Sequence, residues 1–155
     1  MSWWARAAAA VRTDFSDLPD AGQAASLLIR LIMAALLGGV LGYERQRSGK
    51  SAGIRTHMLV SLGSALFVLI PQQAGAGPGD ITRVLQGVVA GIGFLGDGTI
   101  LKVDDRGEVR GLTTAAGVWL TAAIGVAAGM GRVGSATPST ALALVILSVL
   151  PKFAH

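Results

Sequence analysis

Residues 87–119 read GVVAGIGFLGDGTILKVDDRGEVRGLTTAAGVW. An apolar, glycine-rich run gives way to a charged connector, and a second apolar run follows it. Asp97 stands inside the first run with glycine on either side. An ionisable group in a segment long enough to cross a bilayer is expensive, and it marks a candidate functional position. The second run, Leu112 to Met130, holds 19 residues without a charge. At 1.5 Å per residue it reaches about 28 Å, close to the thickness of a hydrocarbon core. The stretch therefore reads as two membrane-crossing helices joined by a short charged loop, and the rest of the chain must pack around it or orient it.

Composition agrees. Of 155 residues, 52% are hydrophobic and 14% charged, where a soluble domain carries about 25% charged residues. The mean hydropathy is +0.59. Glycine is abundant, at 22 residues, and aromatics make up 5%, which suits helices packing closely in lipid through small side chains. The net charge of +4 does not point to nucleic acid, because the basic residues sit between apolar runs, where membrane topology places them. No cysteine is present, so there is neither a disulfide nor a thiolate metal site.

The expected fold is all-α: a polytopic membrane domain of five transmembrane helices over 24–43, 53–71, 82–101, 112–130 and 136–151. They would pack through glycine and alanine faces, self-associate as a homo-oligomer and have the lipid bilayer as solvent. Residues 1–25 carry Trp3, Trp4, Arg6 and Arg12, then Asp14, Asp17 and Asp20. They form either an interfacial helix anchored by the tryptophans or a tail, and Ala7 to Val11 is too short for a signal peptide. In the first span Arg30 can snorkel to the headgroups, and Gly38 and Gly42 form a G-x-x-x-G packing face. The last span is expected to open with Thr137 as N-cap and Pro138 as first helical residue.

Lysine and arginine orient these spans. The 44–55 connector holds four and the 102–110 connector three (Lys102, Arg106, Arg110), whereas the alternate loops hold Arg83 and Arg132. Positive-inside places both connectors in the cytoplasm, the N-terminus outside and the C-terminus inside. That topology brings Glu44, Arg55, His57, Asp97, Thr113 and Thr114 to one depth. Three readings of this cluster stand. One is an ion pair that fixes helix register, with Arg55 pairing a carboxylate and Thr113 bonding between helices. Another is a cation or proton site with Asp97 and Glu44 as oxygen ligands of a divalent metal. The third is a pocket for a partner or ligand.

Gly91, Gly93 and Gly96 spell G-x-G-x-x-G, but the dinucleotide fingerprint needs a strand before it and a soluble helix after it. Inside an apolar span the same glycines serve packing. No nucleophile elbow, H-E-x-x-H or P-loop lysine occurs, so the sequence supports neither enzymatic chemistry nor a bound cofactor.

Taken together, GYERQRSGKSAGIRTHMLVSLGSALF (42–67), GIGFLGDGTIL (91–101) and RGLTTAAGVW (110–119) resemble the membrane domain of the MgtC/SapB family, in its order and spacing over about residues 26–131. The resemblance implies a non-enzymatic bacterial inner-membrane protein tied to stress or virulence and to growth at low magnesium. It also implies regulation of other membrane proteins, such as the ATP synthase, in ion or energy homeostasis. The alternative is a small cation or proton transporter with Asp97 as the titrating group. The family motif maps onto Glu44, Arg55, Thr56, His57, Gly91, Gly93, Phe94, Gly96, Gly98, Arg110, Gly111, Thr113, Thr114 and Trp119. Asp97 departs from the pattern, which usually carries alanine or glycine there. The soluble C-terminal domain of longer members is not expected in a chain that stops at His155.

Overall fold

Asp20 starts the longest helix. Its side chain accepts from the Gln23 N–H at 2.8 Å, and the leucine- and alanine-rich run behind it has no residue that interrupts an α-helix. The computed structural model describes residues 2–14, 16, 20–103 and 108–153. Among them the helices are α1 (Trp3–Asp14), α2 (Ala21–Arg47), α3 (Ile54–Gln73), α4 (Pro78–Asp97), α5 (Leu112–Gly129) and α6 (Val133–Ser148), followed by a 3₁₀ turn at Leu150–Phe153. No residue of α1 is buried. Arg106 of the second connector and Asp17 of the N-terminal acidic patch lie outside the described residues.

The chain is all-α, as expected, with one difference in the second connector. There Leu101–Val103 (β1) pairs antiparallel with Glu108–Arg110 (β2), Lys102 opposite Val109. Gly111 links this hairpin to α5 at φ +96, and a methyl group on it would run into Thr99 O. Only glycine fits a left-handed position so close to another backbone.

Helices α2 to α6 occupy the five expected spans. Among the described residues, α2, α3 and α5 are long and apolar enough to cross a membrane, so the count of five is corrected to three by this measure. In α4, Asp80, Arg83 and Asp97 interrupt the apolar run. The 16 residues of α6 reach about 24 Å, short of a core of about 30 Å.

Two helix ends also differ from expectation. The first connector is partly helical, because α2 runs on through Glu44–Arg47 to a cap at Ser48. The last helix starts at Val133, so Thr137 is not its N-cap and Pro138 lies inside it. Hydroxyls hold the turns around that proline: Thr137 donates to Val133 O at 3.0 Å, Ser139 to Ser135 O at 2.8 Å and Thr140 to Ala136 O at 2.9 Å. Each hydroxyl bonds the carbonyl four residues back, and none takes Gly134 O, the carbonyl that Pro138 leaves without an N–H donor.

The core packs α2, α3 and α5 against one another, with the closest approaches made on α3. Helix α2 runs antiparallel to α3: a methyl on Gly38 would sit 2.6 Å from His57 O, and one on Gly42 2.6 Å from Ile54 Cα. Helix α5 runs parallel to α3: a methyl on Gly129 would sit 2.5 Å from Ala65 O, and one on Gly125 2.7 Å from Ser61 Cα. Backbone meets backbone at all four points. Leu37, Leu41, Ile124, Ala136, Ala143 and Leu147 join α2, α5 and α6 in a further apolar core.

Candidate functional site

Because Gly38, Gly42 and Gly125 bring the helices so close, the polar side chains between them are cut off from solvent. His57 and Ser61, one turn apart on α3, are each 0% exposed. His57 Nδ1 lies 3.0 Å from Gly53 O. A carbonyl only accepts, so Nδ1 carries the proton and Nε2 is left as an acceptor. That Nε2, facing Gly117, and the Ser61 hydroxyl have no hydrogen-bond partner among the described residues. Buried polar groups are normally paired, so two orphans one turn apart mark the centre of this core as polar by design of the sequence rather than by packing. Thr114 and Thr121 of α5 are buried beside them, with Thr121 Oγ1 donating to Gly117 O at 2.8 Å.

At one end of this seam Glu44 is paired, but not with Arg55. Its neighbour Arg45, 3% exposed, forms a two-pronged ion pair with it, Arg45 Nε to Oε2 and Nη2 to Oε1. Ser48 donates to the same Oε1 at 2.8 Å, and Arg45 Nη2 also reaches Leu147 O at 3.2 Å, at the C-terminal end of α6. A forked guanidinium on a carboxylate and on late helix carbonyls suits both the pair geometry and the helix dipole. At the other end Arg30 reaches the ends of two neighbouring helices. It turns onto Gly129 O at 3.2 Å and Gln72 Oε1 at 3.4 Å, fastening α2 to the C-terminal ends of α5 and α3.

The expected cluster is therefore divided. Glu44 is half-buried, and His57 and Thr114 are buried in the α2–α3–α5 core. Arg55, Asp97 and Thr113 are exposed, so the expected pairing of a carboxylate by Arg55 is corrected to Arg45. Thr56 is half-buried and Arg110 exposed at the end of β2. Asp97 ends α4, whose one buried residue is Gly96. It lines a cleft of about 280 Å³ between α4 and α5 together with Gly93, Gly96, Ala116 and Trp119. Gly91 and Gly93 open onto free space, Phe94 is 85% exposed, and Gly98 caps the helix. Among the described residues no three His, Asp or Glu side chains gather around one point. A hard cation takes several oxygens, whereas the Glu44 carboxylate already accepts from Arg45 and Ser48.

Sequence reasoning missed Arg45 and Ser61. Both continue stripes that could have shown them: Arg45 follows Gly38 and Leu41 at helical spacing, and Ser61 lies four residues after His57 and four before Ala65.

The MgtC family profile matches residues 31–155. The chain belongs to the MgtC family. Among curated relatives, SrpB of Synechococcus elongatus is 49% identical over 116 residues, 68% of this chain and 64% of SrpB. YhiD of Escherichia coli K12, named a putative magnesium transporter, is 41% identical over 132 residues, 81% of this chain and 60% of YhiD. The protein MgtC of Brucella abortus is 43% identical over 117 residues, 76% of this chain and 48% of that protein. This MgtC-family chain thus spans about half to two thirds of the length of the relatives it matches. No solved structure matches it. Its apolar helices and its family together make it a membrane protein.

Proposed function

We propose that the chain is a non-enzymatic inner-membrane protein that regulates magnesium-linked ion or energy homeostasis by docking against other membrane proteins, its basic connectors in the cytoplasm. The magnesium link comes from the relatives, one of which is named a putative magnesium transporter. The observation that carries the docking is the outward-facing Asp97. It stands at the rim of a cleft walled by Gly93, Gly96 and Ala116, with Trp119 beside it. Small residues let a second helix approach closely, and a carboxylate at a membrane-embedded surface gains most from a donor on that helix. The non-enzymatic reading is supported by the isolation of the buried base His57 and of the Ser61 hydroxyl one turn on: His57 Nε2 and Ser61 Oγ share no hydrogen bond and are closed off from any substrate by the helices around them.

The competing reading, cation transport with Asp97 as the titrating group, predicts a different outcome in one experiment. The purified chain is placed in liposomes holding a magnesium-sensitive dye, and the same variants are tested for rescue of low-magnesium growth in a bacterium lacking its own MgtC-family gene. Docking predicts no magnesium flux, and loss of rescue in Gly93→Leu at unchanged membrane level. A flux that disappears in Asp97→Asn would overturn docking in favour of transport.

A further inference from the structure

Two groups of helical glycines contrast. Gly38, Gly42, Gly125 and Gly129 are pressed against a neighbouring backbone, whereas a methyl on Gly63, Gly87 or Gly91 would meet nothing within 4 Å. The second set lies along one groove between α3 and α4, of about 650 Å³, walled by Val60, Gly63, Phe67, Gly87, Gly91 and Leu95. Its wall on α4 runs from Val84 to Leu95, which is about 16 Å of helix. That is about half of a 30 Å hydrocarbon core, the depth of one leaflet.

One end of the groove differs from the rest. Leu95 is shared with an adjoining space of about 300 Å³ that Ser51, Thr56 and Thr99 line with hydroxyls. Arg55 and Thr56 sit one helical turn before Leu59 and Val60 of the groove wall, so they continue that wall towards the connector. Lys50 adjoins Ser51 and Arg55 adjoins Thr56; both are exposed, and neither makes a salt bridge among the described residues. An apolar slot one leaflet deep that opens onto hydroxyls and unpaired cations has the chemistry of a phospholipid: acyl chain inside, phosphate at the mouth.

We propose that the α3–α4 groove is a binding site for one anionic phospholipid, its acyl chain on Gly63, Gly87 and Gly91 and its phosphate at Arg55, Lys50 and the Thr56 hydroxyl. The groove and the Asp97 cleft meet at Ile92 but are otherwise lined by different residues, and the site stands whether or not that cleft docks a partner.

The test uses the full chain in mild detergent, mixed with phosphatidylglycerol or phosphatidylcholine, with native mass spectrometry counting the lipid retained. One phosphatidylglycerol per chain is expected, at least fivefold over phosphatidylcholine. Arg55→Gln should reduce that preference about fivefold, the effect of one basic residue at an anionic surface. Gly91→Leu should abolish retention of both lipids at unchanged helicity, with Gly87→Leu replacing it if the first variant unfolds. Equal retention of the two lipids by the wild type would overturn the proposal, as would full retention by a folded Leu variant. A wild-type dimer that Gly91→Leu dissociates would overturn it too, by assigning the groove to a second copy.

Discussion

Two glycine-to-alanine substitutions, chemically the same and both within helices, should move stability in opposite directions. At Gly125 the added methyl would lie 2.7 Å from Ser61 Cα and 2.8 Å from Ser61 C. Carbon atoms rest at about 3.5–4.0 Å, so α5 and α3 must part by roughly 1 Å along a seam where backbone faces backbone. Overpacking costs about 1–3 kcal/mol, and a main chain has no rotamer with which to yield, so the upper figure applies. Replacing a helical glycine by alanine returns about 1 kcal/mol, leaving Gly125→Ala destabilised by about 2 kcal/mol. At Gly91 the methyl meets nothing, and the helix-propensity gain of up to about 1 kcal/mol stands alone. Far-UV circular dichroism during unfolding in mixed micelles of rising dodecyl sulfate content would read both. A separation of about 3 kcal/mol is expected. Equal shifts of the same sign would refute the assignment of Gly125 to a close backbone crossing and of Gly91 to an open groove.

Arg45→Met should be among the most damaging single changes, by roughly 3 kcal/mol, because it strands the half-buried Glu44 carboxylate and frees Leu147 O. Limited proteolysis should then cut near the end of α6, and Glu44→Gln on the same chain should restore part of the loss. Ser61→Ala removes a buried hydroxyl that has no partner, so its unfolding midpoint should stay level or rise by up to about 1 kcal/mol. A clear loss of stability there would show that the hydroxyl is bonded after all, to a buried water.

Hydropathy located the helices because a lipid-exposed run has few ways to be anything else. It did not set α4 and α6 apart from the three longer, more apolar helices: they carry the same kinds of residue as α5 but mix in charge or fall short in length. The polar cluster was harder, since depth can be read from the chain but facing cannot. Asp97 and the buried Gly96 are neighbours, yet successive helical residues turn by about 100°, so one faces α5 and the other faces out. A connector read as beginning at Glu44 leaves Arg45 in a loop, whereas α2 continues to Arg47 and carries Arg45 inward. The β1–β2 hairpin has three-residue strands, too short for an alternating pattern to stand out in a charged segment.

The order of the helices along the chain also bears on how it is made. Ribosomes deliver α2 and α3 first, and α5 begins only at Leu112, thirty-nine residues after α3 ends at Gln73. Until it arrives, the flank of α3 that turns His57 Nε2 towards Gly117 lacks its α5 cover. An interrupted chain therefore displays a polar flag that a finished one hides, and membrane proteases should clear the fragment ahead of the complete protein.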